Sequence, residues 1–340
     1  MKNDKLPGLQ IARAVAALSI MYFHSWTVLD RFPKGTAHPI YYLSEYGWLG
    51  VDLFFAISGF VICLVVSRQK FGVASFLIKR VFRLYPLWIV TLSVFAVLTL
   101  LWRAPIQSET LGYFFYSATL LPTEHYPFYD IGGSLQHEMI FYVLAVVLVP
   151  LFGLYGLAAF LLVSTIAYHM LEMPWYLSNP AMYHAEFLAG VTAFIARPHL
   201  TRLGSILPVV LGAVALAFVL LRLGRQYVPI PLFLLIVGFA NAHEGKARSL
   251  VVLGSASYSI YLLHPVVFSV AKALTTWVPK NDLWIEEFIR FGSIAIVLAM
   301  ALASWRYFEQ PVILLGNRIA GKLARESLLP SAGDQRATAA

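Results

Sequence analysis

Charge is what this sequence has least of. Asp, Glu, Lys and Arg make up 12% of its 340 residues, while 59% are hydrophobic. Soluble domains average roughly 25% charged and about 45–50% apolar residues. A chain of this size with so few charges cannot cover a water-facing surface, which excludes a soluble enzyme, a disordered protein and a nucleic-acid-binding domain. Cysteine is nearly absent as well: Cys63 alone permits no internal disulfide, zinc ribbon or Cys–Cys redox pair. A metal site is not expected, because His137-Glu138 has Phe141 where a zinc-binding His-Glu-x-x-His motif needs its second histidine. A Walker loop is missing, and Gly-x-Ser-x-Gly fails at Tyr258. The first apolar run, Leu9 to Leu29, is too long for a signal-peptide core and lacks a small-residue cleavage site. No internal repeat is visible, which weighs against inverted-repeat transporters.

What the chain has instead is a series of long apolar runs and a mean hydropathy of +0.73. A spanning helix needs roughly 20 apolar residues to cross a hydrocarbon core about 30 Å thick. That rule predicts an all-α polytopic membrane protein of about ten spans, near 9–29, 48–67, 84–102, 135–152, 154–171, 181–196, 204–221, 228–241, 250–271 and 288–308. The two short ones, 181–196 and 228–241, are expected to tilt or pack inside the bundle. The run 111–121 reads as interfacial or re-entrant. Residues 1–312 form the membrane domain, and 313–340 a cytoplasmic tail that loses order from about Gly321.

Orientation follows from the basic residues. Arg68, Lys70, Lys79, Arg80 and Arg83 form the densest cluster, and cytoplasmic loops attract Lys and Arg. With that loop inside, Lys2, Lys5, Arg197, Arg202, Lys246, Arg248, Arg306, Arg318, Lys322, Arg325 and Arg336 are inside too. Arg31, Lys34, Arg103, Arg222, Arg225, Lys272, Lys280 and Arg290 are left outside. Both termini then face the cytoplasm, and the net charge of +8 reflects topology rather than an acidic partner. The aromatic stretch 103–134, with Tyr113, Tyr126 and Tyr129, reads as an interfacial belt or as a sugar-stacking surface.

Ionisable groups inside spans are costly and mark function. Arg13 and His24 share the first span, eleven residues apart. That spacing is about 16 Å along a helix and only about 20° off the same face. Arg80 and Arg83 are an i, i+3 pair at the cytoplasmic edge of the third span. They read either as a topology anchor or as a clamp for phosphate, whose oxygens match guanidinium forks. Glu138 lies in the first turn of the fourth span, where a helix N-terminus favours a carboxylate. Ser257, Ser259 and His264 stand in the ninth span, where small hydroxyl residues ordinarily serve helix packing.

In order along the chain, six motifs resemble the acyltransferase-3 family of integral membrane acyltransferases, in particular its exopolysaccharide and O-antigen acetyltransferase branch. They are Leu9–Ala17 through His24, Gly50–Phe60, Arg80–Trp88, Ser134–Tyr142, Ser257–Pro265 and Phe308–Pro311. The resemblance implies a bacterial-type inner-membrane enzyme moving an acetyl or other acyl group onto an extracytoplasmic glycan. In the family the Arg-x10-His pair, here Arg13 and His24, is held essential, and the Arg-x-x-Arg motif, here Arg80 and Arg83, is functionally implicated. The motif glutamate falls on Glu138. His137 departs from the pattern, which commonly has an aromatic or apolar residue there.

The depths of these residues and the resemblance suggest one expected route. Cytosolic acetyl-CoA, a substrate rather than a bound cofactor, places its phosphates on Arg80 and Arg83, with Arg13 deeper, and extends its thioester toward His24. His24 acts as general base toward the sugar hydroxyl, or carries the acetyl group itself. Glu138 orients the imidazole as a triad carboxylate does. Ser58, Tyr261 and His264 are secondary candidates for a hydrogen bond to the thioester oxygen. Partners are the acyl-CoA, a glycan or lipid-linked sugar, and membrane lipids. The rival reading is a transporter or flippase for a lipid-linked glycan, which gives Arg13 and His24 no reason to share a face.

Overall fold

The computed structural model describes residues 6–29, 40–67, 72–102, 111–243, 245, 247–278 and 282–326. Among them the only regular structure is helical. The helices are α1 (Pro7–Thr27), α2 (Tyr41–Tyr46), α3 (Gly50–Val66), α4 (Val73–Trp102), α5 (Leu111–Ala118), α6 (Gly132–Met170) and α7 (Trp175–Ala181). They continue as α8 (His184–Leu200), α9 (Ile206–Phe218), α10 (Pro229–Asn241), α11 (Arg248–Ser255), α12 (Ser257–Leu274), α13 (Leu283–Ser304) and α14 (Gln310–Glu326).

The distribution of side chains is that of a multi-pass membrane protein. Asp52, His264, Glu286, Arg290 and Glu309 are buried, whereas Leu100, Leu101, Leu151, Phe152, Ile206 and Phe288 are exposed. In lipid an exposed leucine costs nothing and a charge must face the bundle. Five helical stretches are long and apolar enough to cross a membrane: Tyr41–Val66, Val73–Leu101, Gly132–Met170, Ile206–Leu223 and Leu283–Leu323. The pair α11–α12, bent by 68°, makes a sixth if counted as one broken span. This is fewer than the ten expected, though helices occupy every expected place. α8 and α10, at 17 and 13 residues, are too short, and α1, with Gln10, Arg13 and His24, is too polar. α6 contains two expected spans in one run, joined at Gly153, whose φ of 68° and ψ of −173° break the helix at a torsion only glycine adopts freely.

Of the basic residues that set the expected orientation, Lys2, Lys5, Arg31, Lys34, Arg68, Lys70, Arg103, Lys246, Lys280 and Arg336 lie outside the described residues. Gly321, the expected start of the tail's loss of order, instead falls within α14, which runs on to Glu326. Upstream, α14 lies so close to α4 that a Cβ on Gly316 would sit 2.5 Å from that of Phe82.

Of the five spanning stretches, the one that holds α3 is the most buried, at 67% against 17% for those of α6 and α9. Close approach between backbones sets its place. A Cβ on Gly190 of α8 would lie 1.9 Å from the Ala56 carbonyl oxygen, and one on Gly59 would lie 2.3 Å from that of Phe187. Small residues allow such contact where lipid supplies no hydrophobic drive between helices. Gly190→Ala is therefore expected to push α8 off α3 and destabilise the protein by about 1–3 kcal/mol. A lower midpoint in a detergent thermal-unfolding assay is the check; an unchanged midpoint contradicts the packing.

Candidate functional site

Five elements build a narrow cleft of about 90 Å³ at the centre of the bundle. α1 contributes Arg13, α3 contributes Ser58, α4 contributes Arg80 and Arg83, and α6 contributes Ser134, Glu138 and Tyr142. Tyr258 and Tyr261 of α12 line it too. Residues from positions 13 to 261 thus share one space, although the sequence separates them by most of the chain.

None of Arg13, Arg80 and Arg83 takes part in an ion pair among the described residues. Arg80 is instead cradled by aromatic faces, its guanidinium carbon 5.0 Å from the Phe76 ring centre and 4.9 Å from that of Tyr142. Such contacts hold a cation without neutralising it. The one carboxylate lining the cleft, Glu138, accepts hydrogen bonds from Ser58 Oγ at 3.1 Å and from the Tyr142 hydroxyl. Three guanidinium groups line a cleft that has one carboxylate in its lining, and Glu309 lies close enough to Arg13 and Arg83 to offset part of their charge; the balance still suits an anion.

Depth is where sequence and structure part. Arg80 and Arg83 were expected at the mouth of a helix starting near residue 84. α4 begins at Val73, so they stand seven and ten residues along it, about 10–15 Å in. Glu138, six residues into α6, reaches the same cleft from its own end. The arginines and Glu138 are cleft neighbours, not opposite ends of a path across the membrane.

His24 has a different partner from the one its position suggested. Its Nδ1 lies 2.7 Å from His264 Nε2, and the two rings are nearly parallel, 12° apart with centres at 4.9 Å. His264 is fully buried, and its own Nδ1 lies 3.0 Å from the Ile260 carbonyl oxygen. A carbonyl only accepts, so His264 Nδ1 carries the proton, and in the neutral ring Nε2 is then an acceptor. His24 Nδ1 must therefore donate to it, which leaves His24 Nε2 with a free lone pair. This chain of two imidazoles fixes a tautomer in the way the carboxylate of a hydrolase triad does.

His24 and His264 do not line the cleft; His264 lies behind Tyr261, and His24 packs on His264. The His264 ring centre is 6.0 Å from that of Tyr261, whose hydroxyl is hydrogen-bonded to Ser134 Oγ at 2.7 Å. The end of α1 that carries His24 is anchored by Arg290 of α13. That buried guanidinium, paired with Glu287, packs over Tyr22 and Trp26, its central carbon 5.0 and 4.4 Å from their ring centres. Tyr22 and Trp26 flank His24 in sequence, so the anchor holds the histidine in place.

Of the residues singled out from sequence, Arg13, Ser58, Arg80, Arg83, Glu138 and Tyr261 meet in the cleft. His24 and His264 pair beside it. Tyr142 and Tyr258 were overlooked as site residues, although both fall inside the quoted motifs. No group of three or more His, Cys, Asp or Glu able to hold a metal occurs among the described residues.

Residues 6–305 match the model of the acyltransferase domain, acyltransferase-3 type. The chain belongs to that family. It is therefore an acyltransferase, which sets the transporter reading aside. The chain is 31% identical to the exopolysaccharide production protein ExoZ of Rhizobium meliloti, over 80% of this chain and 91% of the relative. It is 24% identical to nodulation protein 10 of Rhizobium leguminosarum bv. viciae, over 93% and 95%. A protein of Acidianus two-tailed virus named as an acetyltransferase, ORF330, is also 24% identical, over 94% and 96%. No solved structure matches the chain significantly.

Proposed function

We propose that this acyltransferase moves an acetyl group from cytosolic acetyl-CoA to a hydroxyl of an extracytoplasmic glycan, such as an exopolysaccharide. In this reading it sits in a bacterial inner membrane with about ten spans and both termini in the cytoplasm. The observation that carries it is the convergence of Arg13, Arg80 and Arg83, unpaired, on a cleft that ends at the tyrosine beside the His24–His264 pair. The arginines take the phosphates of the donor, and its thioester ends near Tyr261.

His24 Nε2 then removes the proton of the sugar hydroxyl as that oxygen attacks the thioester carbonyl. The carbon–sulfur bond breaks, the acetyl group stays on the sugar oxygen, and the departing CoA sulfur takes the proton back from the imidazolium. His264 stabilises the charged His24 by accepting from Nδ1. Glu138, bonded to Ser58 and Tyr142, keeps the cleft wall rigid and limits how many negative charges it accepts. The name of ExoZ, which concerns exopolysaccharide production, supports a glycan acceptor here.

Two experiments test the reading. Surface glycans from cells with and without the protein are compared by mass spectrometry, and deletion is expected to remove an acetyl mass from the polymer. Unchanged acetylation with less polymer would point to an export role. In purified protein, Arg80→Ala with Arg83→Ala is expected to raise the KM for acetyl-CoA about 10- to 100-fold, two charge-assisted contacts being lost. An unchanged KM removes the arginines from donor binding.

A further inference from the structure

A second cavity, about 540 Å³, opens on the other side of the cleft's end wall. The two share Val51, Ser134 and Tyr261 as lining residues, so they abut across the Ser134–Tyr261 hydrogen bond. Its walls come from the 119–131 segment between α5 and α6, the first turns of α6, and α7 with the residues after it.

This cavity is built rather than incidental. The Asn179 side-chain amide donates to the Thr123 carbonyl at 2.9 Å, and that of Gln136 donates to the Leu121 carbonyl at 2.6 Å. Tyr129 ties the same segment to α12 by donating to the Leu262 carbonyl at 2.8 Å. Within these walls two buried polar atoms have no hydrogen-bond partner, His137 Nδ1 and Asn179 Oδ1. Leaving such atoms unpaired is costly, and two of them on residues lining one cavity call for a ligand that supplies the missing bonds. The His137 ring is held edge-on by Phe55 and Tyr183, with centres 6.1 and 4.8 Å away. His137 is also the position where the sequence departs from its family motif.

The electrostatics narrow the ligand. Among the described residues, Glu124 and Asp130 line the cavity and neither Lys nor Arg does. Arg225, which touches Tyr183, is engaged with Asp52 at 3.4 Å and with the Trp48 ring. An anionic sugar would meet uncompensated carboxylates there, at a cost in affinity. The largely exposed Tyr126 offers a ring face to a sugar.

Building on the acyltransferase reading above, we infer that this cavity is the acceptor site, that it selects uncharged sugars over uronic or phosphorylated ones, and that His137 and Asn179 hydrogen-bond the acceptor. The sugar is then held on one side of Tyr261 while the donor reaches it from the other. His137 determines which acceptor binds and plays no part in donor binding.

The test uses full-length protein in nanodiscs, radiolabelled acetyl-CoA, and surface glycan from the producing cells, de-acetylated and split by anion exchange into neutral and acidic fractions. Label is expected in the neutral fraction. His137→Phe is expected to raise the KM for that fraction roughly tenfold, the loss of one hydrogen bond to a buried partner. Its KM for acetyl-CoA should not change, and His137→Asn should fall between Phe and wild type. Preferential labelling of the acidic fraction, or an unchanged acceptor KM in His137→Phe, overturns the inference and leaves the acetyltransferase reading intact. Label in neither fraction, with acetyl-CoA still bound, removes the glycan reading and this inference together.

Discussion

His24→Ala is expected to abolish acetyl transfer while the protein remains folded and inserted. The derived tautomer leaves Nε2 of this ring with its lone pair free, and His264, its partner, packs against the tyrosine that closes the arginine cleft. His264 is fully buried and lines neither cavity, so its Nε2, though freed by the loss of His24, does not reach the sugar hydroxyl in its place. A positioned general base contributes about 10²–10⁴-fold, and a transient acyl carrier would contribute more, so either role brings the variant to background. The measurement is turnover of radiolabelled acetyl-CoA into glycan, alongside size-exclusion behaviour and thermal midpoint in detergent. Normal turnover in a folded His24→Ala protein would falsify the mechanism. Donor binding is expected to survive, because Arg13, Arg80 and Arg83 are untouched.

The second large effect concerns a residue that never meets the reacting groups. His264→Phe keeps the bulk of the ring among Tyr261 and Phe268, with which the imidazole packs at 6.0 and 5.9 Å, but removes the acceptor for His24 Nδ1. Without it His24 loses its fixed tautomer and the partner that steadies its cation. Removing the orienting group of a triad costs up to about 10⁴ in kcat. With a neutral acceptor in place of a carboxylate, a loss of about 10²–10³ in kcat is expected, with KM for acetyl-CoA unchanged. His264→Gln, whose amide oxygen can accept, should retain more activity than His264→Phe. A purely packing role predicts the reverse order, because phenylalanine fills the space better. The split also separates this pair from the arginines, whose loss appears in KM.

Much of the architecture is legible in the residue order. Apolar runs of spanning length place the helices, and Gly153 falls at the expected break between the fourth and fifth. The helices that miss the membrane-crossing criterion do so for visible reasons: α8 and α10 are short, and α1 carries Gln10, Arg13 and His24. Arg13, Arg80, Arg83 and Glu138 also stand out, because an ionisable group in an apolar run costs free energy that only a function or a partner offsets.

Pairing is what the sequence does not disclose. Glu138 stands next to a histidine in sequence and looks like a triad carboxylate, yet it is bonded to Ser58 and Tyr142. The partner of His24 comes from 240 residues further along the chain. His137 reads as a neutral departure from a motif until the fold sets it, with an unpaired nitrogen, in the wall of a cavity shared with Asn179.

The sequence by itself determined that the chain lies in lipid, that it is helical, and which few charged residues must face inward, because those properties depend on composition and on one-dimensional spacing. Tertiary structure alone decided that the arginines and Glu138 share a cleft, that His24 pairs with His264, and that a second cavity abuts the first across Tyr261. Hydrogen bonds of 3 Å depend on which helices touch, and in this bundle close backbone contacts, such as Gly190 on Ala56 and Gly254 on Gln10, help set that. No local rule reads such contacts from the order of residues along one strand of chain.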